Sequence, residues 1–160
     1  VDFLAEIGRR FRTLRRRQHR SLVGLSMGGF GALSLGLLYP DRFGSAVSLS
    51  GALFGEVPSS KKAYRAVWGD PPQSAHFERY SPFSLASRVE GHQEPPRIYI
   101  GCGRSDHSTY RERAAAMHER LESRKIPHLY QEGEGGHSWS YWVGDSASWL
   151  NFVQAGFSGP

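Results

Sequence analysis

Residues 21–39 pass from a strand-like to a helix-like pattern with no spacer between them. Ser21-Leu22-Val23-Gly24-Leu25 is a short apolar run bounded by polar residues and reads as a buried strand. From Gly28 to Tyr39 the residues are small or leucine, and Pro40 and Asp41 stop the run, which predicts a mostly buried helix. At the junction lies Gly24-Leu25-Ser26-Met27-Gly28, a G-x-S-x-G pentapeptide. A serine on so sharp a turn needs neighbours two positions away without side chains, since Cβ atoms there would strike nearby backbone. Gly24 and Gly28 are expected to meet that need, and Gly29 and Gly31 to let the helix approach the sheet closely. The free amides at the helix start favour negative charge beside Ser26, and the Met27 N–H is the candidate oxyanion donor.

The same alternation continues along the chain. Ala46-Val47-Ser48-Leu49-Ser50, Arg97-Ile98-Tyr99-Ile100-Gly101 and His128-Leu129-Tyr130-Gln131 read as three more strands. Tyr110 to Arg124 predicts a helix with Ala114, Met117 and Leu121 facing inward. Tyr141 to Val153 predicts a last helix with Trp142, Trp149, Leu150 and Val153 in the core. Strand and helix alternating in this way argue for an α/β fold with a mostly parallel sheet and flanking helices. Residues 51 to about 94 lose the pattern, carrying Pro58, Pro71, Pro72 and Pro82 among many aromatics, and read as an irregular insertion with short helices at most.

Composition excludes several other classes. At 160 residues, 39% hydrophobic and 22% charged, the chain suits one globular domain over 1–160. No apolar run approaches the roughly 20 residues that span a bilayer. Cys102 is the single cysteine, so an internal disulfide and a multi-cysteine metal cluster are excluded, and its apolar surroundings suit a packed thiol. The net charge of +5 owes much to Arg9, Arg10, Arg12, Arg15, Arg16, Arg17 and Arg20. Phe3, Leu4, Ile7, Phe11 and Leu14 recur among them at helical spacing, so the arginines are expected on the solvated face of an amphipathic helix, with no nucleic-acid partner.

A serine nucleophile needs a general base, and the base needs an orienting carboxylate, in the chain order serine, acid, histidine for a strand–turn–helix serine. Asp106 follows the third strand and His137 the fourth. Gly135-Gly136 before His137 and Ser138-Trp139 after it place it on a loop able to bring an imidazole to Ser26. His107 is the rival base, but it adjoins Asp106 on one loop, which disfavours the acid-to-imidazole geometry. Glu132 and Asp145 are the rival acids; of the three, Asp106 ends a strand in the required order. Phe54, Trp68 and Trp139 are the candidate substrate-pocket residues.

Four segments together resemble one family: Ser26-Met27-Gly28-Gly29-Phe30-Gly31-Ala32, Ser48-Leu49-Ser50-Gly51, Gly101-Cys102-Gly103-Arg104-Ser105-Asp106 and Gly135-Gly136-His137-Ser138-Trp139. They look like the Putative esterase family, which includes S-formylglutathione hydrolases, acetyl, feruloyl and tributyrin esterases and, more distantly, mycolyltransferases. The resemblance covers nearly the whole chain from Asp2 onward. It implies the α/β-hydrolase fold, Ser26, Asp106 and His137 as nucleophile, acid and base, and an acyl-enzyme route on a small ester or thioester with no cofactor and no metal.

The departure is at the front. Family members carry further strands and a His-Gly-rich oxyanion loop ahead of the helix that Asp2 begins, and nothing in this sequence matches that loop. The expected domain is therefore the C-terminal portion of the fold. Loss of one oxyanion donor typically costs about 100- to 1000-fold in rate. The strand at Leu22 to Leu25 is expected to be an open, apolar sheet edge through which copies self-associate. Acyl transfer by the same residues, and a non-catalytic esterase fragment, are the alternative readings.

Overall fold

The computed structural model describes residues 3–59 and 62–157. Its centre is a four-stranded, all-parallel sheet in the order β1 (Ser21–Leu25), β2 (Ser45–Leu49), β3 (Arg97–Gly103) and β4 (His128–Gly133). Each strand lies within two residues of its predicted position. Parallel strands need long crossovers, and here helices supply them. α2 (Met27–Leu38) joins β1 to β2, and α6 (Ser108–Ser123) joins β3 to β4.

β2 and β3 are covered on both faces, so alternate residues feed two separate cores. Ala46, Ile98, Ile100 and Cys102 point to one side, where they meet Phe30, Leu33 and Leu37 of α2 and Ala114, Met117 and Leu121 of α6. Val47, Leu49 and Tyr99 point to the other, against α7 (Trp139–Gly144) and α8 (Ser146–Phe157) through Tyr141, Trp142, Phe152 and Val153. The three α6 residues expected to face inward are fully buried. Burial of side chains the size of Met117 and Leu121 stabilises the fold by about 1.5–3 kcal/mol each.

The segment joining β2 to β3 contains α3 (Lys62–Trp68), α4 (Ser74–Glu78) and α5 (Pro82–Val89). It does not stand apart from the sheet. Phe54, Trp68, Phe77, Leu85, Ala86 and Val89 belong to the same core as α2 and α6. Ser34 Oγ of α2 donates to the Tyr80 carbonyl at 2.6 Å.

Two helical expectations are corrected. α1 runs only from Phe3 to Arg10, so Phe11 and Leu14 fall beyond its end, and no residue of α1 is buried. Arg15 folds back to donate to the Gly8 carbonyl at 3.0 Å, which satisfies an acceptor in the last turn and closes the helix there. Nor are all the arginines on a solvated face. Arg9 and Arg10 pair with Glu6 at the surface, but Arg17 reaches inward to the Pro40 carbonyl at 2.9 Å and to Glu94 Oε2 at 2.9 Å. The single expected C-terminal helix is two, α7 and α8, broken at Asp145. Asp145 leaves the helix at φ −87° and ψ 7°, and its carboxylate accepts from Tyr99 Oη at 3.1 Å and from Gln131 Nε2 at 3.4 Å. Leu150, expected inside, is half exposed as a result of the new helix phase.

Among the described residues β1 has β2 on one side and no strand on the other. No helix among them is long and apolar enough to cross a membrane.

Candidate active site

The strand register aligns Leu25, Leu49, Gly101 and Gln131 across the sheet, so the segments leaving the four strands emerge together at its carboxyl edge. In open parallel sheets that edge is where ligands meet the protein. Ser26, Asp106 and His137 all lie on it.

Ser26 sits between β1 and α2 with φ 53° and ψ −118°, a left-handed backbone region that a non-glycine residue enters only under constraint. The constraint is visible. The Ser26 N–H donates to the Leu49 carbonyl at 2.9 Å, and the Ser26 carbonyl accepts from Gly29 at 3.0 Å and from Ala52 at 2.9 Å. A Cβ on Gly24 would lie 1.9 Å from the Gly28 carbonyl oxygen, so the turn requires glycine there. The expectation for Gly28 is corrected: a Cβ on it meets nothing within 4 Å, because Gly28 contributes its carbonyl to the crowding while its α-carbon faces outward. A Cβ on Gly31 also meets nothing within 4 Å, whereas at Gly29 a Cβ would press on Ser48 Oγ at 2.7 Å. Met27 opens α2, and its N–H, like any in a first turn, has no intrahelical acceptor.

Asp106 closes the turn after β3, its N–H donating to the Gly103 carbonyl at 2.9 Å. Its side chain is fully buried. Oδ1 accepts from the His107 N–H at 2.7 Å at the start of α6, and the Cys102 thiol lies 3.9 Å from Oδ2. Burial, then the nearby Asp106 and Glu132 carboxylates, push the Cys102 thiol up to about 12. It is therefore a neutral packing group, as its apolar surroundings suggested.

His137 lies on the loop after β4, beyond Gly135 at φ 120°. The Ser105 N–H donates to the Gly135 carbonyl at 2.8 Å and ties this loop to the one that carries Asp106. His137 Nδ1 stands 3.2 Å from each Asp106 carboxylate oxygen, and Nε2 stands 3.0 Å from Ser26 Oγ. One imidazole thus bridges a serine hydroxyl and a buried carboxylate, the three groups carried by the segments that follow β4, β1 and β3. With Nδ1 protonated toward Asp106, Nε2 is free to accept the serine proton.

The rival residues are engaged elsewhere. His107 caps α6, its Nδ1 accepting from the Thr109 N–H at 3.4 Å. Glu132 accepts from Tyr130 Oη at 2.9 Å, and Asp145 belongs to the Tyr99 contact. The three pocket candidates separate. Trp139, 69% exposed, lies two residues from His137. Phe54 and Trp68 are buried in the core, packed on Phe30, with Arg113 over the Phe54 ring. Sequence reasoning missed two rings that touch the imidazole, Tyr110 and Trp142. Tyr110 lies in the first turn of α6, which begins two residues after Asp106, and the spacing alone does not reveal that start.

The parallel sheet with helices on both faces has the α/β-hydrolase fold. A solved ferulic acid esterase matches 99% of this chain and 60% of its own with TM-score 0.76 at 24% identity. An S-formylglutathione hydrolase from Staphylococcus aureus matches 93% of this chain and 59% of its own with TM-score 0.78 at 21% identity. The chain belongs to the Putative esterase family, whose model matches residues 4–147. An acetyl esterase from Caldicellulosiruptor saccharolyticus is 29% identical over 152 residues, covering 86% of this chain and 56% of that esterase. The MPT51/MPB51 antigen of Mycobacterium tuberculosis is 31% identical over 90 residues, covering 49% of this chain and 29% of the antigen. The chain spans 56% of the length of the acetyl esterase and less of the antigen.

Proposed function

We propose that this chain carries the nucleophile, base and acid of a serine carboxylesterase acting on a small ester or thioester. The observation that carries the reading is the single imidazole within hydrogen-bond reach of both Ser26 Oγ and Asp106. As Ser26 Oγ attacks the acyl carbonyl, its proton passes to His137 Nε2, and Asp106 stabilises the imidazolium. Negative charge on the carbonyl oxygen falls near the Met27 N–H and the positive end of α2. The tetrahedral intermediate collapses, His137 returns the proton to the departing alkoxide or thiolate, and an acyl-Ser26 ester remains. Water, deprotonated by the same imidazole, then attacks that ester and releases the acid. No step calls for a cofactor. Trp139 is the proposed contact for the substrate's apolar part, while Phe54 and Trp68 shape the site only from beneath.

The test is hydrolysis of p-nitrophenyl acetate. Ser26→Ala and His137→Ala are each expected to lower turnover by about 100-fold or more, the usual weight of a positioned base or nucleophile. Turnover equal to wild type in either variant would overturn the assignment. Transfer to an alcohol in place of water would show as ester product that rises with added acceptor. A second feature concerns partners: the edge of β1, unpaired among the described residues and with Val23 44% exposed at its middle, favours pairing with a second copy of the chain.

A further inference from the structure

Two hydrogen-bonding ends hold the His137 imidazole, and both act in the plane of the ring. Nδ1 faces Asp106 and Nε2 faces Ser26 Oγ. Bonds at two ends leave the ring free to turn about the line joining them. Asp106 does little to prevent it, since Nδ1 is equidistant, at 3.2 Å, from both carboxylate oxygens. The backbone is anchored, with the Gly135 carbonyl accepting from the Ser105 N–H and the Gly136 carbonyl from the Ser138 N–H, each at 2.8 Å, but these bonds leave the side-chain torsions of His137 free. What fixes the tilt must act on the faces of the ring.

Tyr110 does so. Its ring stacks on the imidazole with centroids 4.2 Å apart and planes 29° apart. Trp142 meets the imidazole edge-on, at 5.1 Å and 81°. Both rings are themselves fixed. Tyr110 is in the first turn of the sixteen-residue α6, its N–H donating to the His107 carbonyl at 2.9 Å, and it packs on the main core. Trp142 is buried and donates Nε1–H to Ser50 Oγ at 3.1 Å. Tyr110 and Asp106 are also carried by one continuous segment, so the acid and the stacking ring move together.

We propose that Tyr110 is a positioning residue for the His137 base, its ring setting the tilt at which Nε2 meets the Ser26 hydroxyl. The inference rests on the triad reading above. The stack also has a chemical consequence, because a ring face attracts a cation and the imidazole becomes one as it takes the serine proton. The phenolic oxygen has no part in this, so phenylalanine should replace tyrosine and leucine should not.

The experiment compares wild type with Tyr110→Phe and Tyr110→Leu by two readouts. The first needs no catalysis: the Cε1–H and Cδ2–H resonances of His137, assigned by their loss in His137→Ala. In wild type and Tyr110→Phe they should be shifted upfield by the stacked ring, and in Tyr110→Leu they should move toward the free-histidine position. The second is p-nitrophenyl acetate turnover. Tyr110→Leu should lower kcat about tenfold with KM within about twofold, well inside the roughly 100-fold that a 1 Å misplacement can cost, and Tyr110→Phe should recover it. Unmoved His137 resonances in Tyr110→Leu, or a Tyr110→Phe loss as large as that of Tyr110→Leu, would overturn the proposal. Wild-type turnover no greater than that of Ser26→Ala would instead overturn the esterase reading, and the resonances alone would then decide whether Tyr110 orients the ring.

Discussion

At the level of single residues the site rests on a few positions where nothing else fits, and they are not all the ones the motif suggests. Gly24 and Gly28 look equivalent in G-x-S-x-G, but the crowding is one-sided. The absent Cβ of Gly24 is what the Gly28 carbonyl occupies, at 1.9 Å from an ideal Cβ, whereas space beside Gly28 is open. Gly24→Ala must therefore push β1 and α2 apart, with a loss of about 3 kcal/mol or more, the upper range of overpacking. Gly28→Ala should leave stability within about 1 kcal/mol, since it exchanges glycine for the best helix former at an exposed position. Urea unfolding of the two variants checks this, and equal losses would refute the one-sided account. The pattern alone could not separate the two glycines, because it carries the spacing of residues but not the direction of a carbonyl.

At the level of elements, most of the sheet was legible and the helix boundaries were less so. The strands are short apolar runs between polar residues, and the interiors of β2 and β3 bury side chains on both faces, which is the condition under which hydrophobicity alone marks a strand. α6 was legible because Ala114, Met117 and Leu121 repeat at helical spacing beside polar residues. Asp145 hid the break between α7 and α8, since its partners Tyr99 and Gln131 stand on β3 and β4 and no local pattern announces them. Ser26, Asp106 and His137 were nominated by chain order, whereas Tyr110 required knowing that α6 begins two residues after Asp106. One energetic property belongs to the strands themselves. Burial and nearby carboxylates raise Cys102 of β3 from 9.0 to about 12, and burial with the Glu132 contact raises Tyr130 of β4 from 10.0 to about 12. Both groups are neutral in the fold and ionise earlier when unfolded. The stability they hold is complete below about pH 9 and is lost as pH rises toward 12. The melting temperature should therefore fall steadily between about pH 9 and pH 11, more gently in Cys102→Ala. A profile equally steep in that variant would remove Cys102 from the explanation.

For the whole molecule, the sheet has two edges among the described residues, β1 and β4, and they differ in composition. Among the described residues neither has a strand on its outer side; β4 carries Gln131 and Glu132 beside the exposed Leu129, while β1 presents Leu22, Val23 and Leu25. A groove runs along that edge, lined by Phe3, Leu4, Leu35 and Phe157, and Arg9, Arg15, Arg20 and Arg42 border it and the adjoining hollow. Two tendencies follow and they oppose each other. The edge can pair with its own copy, antiparallel about a two-fold axis, covering Val23 in both chains. The arginines on each copy then approach each other and repel, an interaction that salt screens over about 10 Å at 0.1 M and about 3 Å at 1 M. Self-association should accordingly strengthen with ionic strength, opposite to assembly driven by ion pairs. Sedimentation at about 0.05 M and 0.5 M salt should show a larger mean mass at the higher value. Val23→Lys adds a charge at the middle of the edge and should return the chain to monomer in both. A monomer at every concentration and salt would sink the pairing outright. Association that weakens with salt, or survives Val23→Lys, would move it away from β1 to another surface.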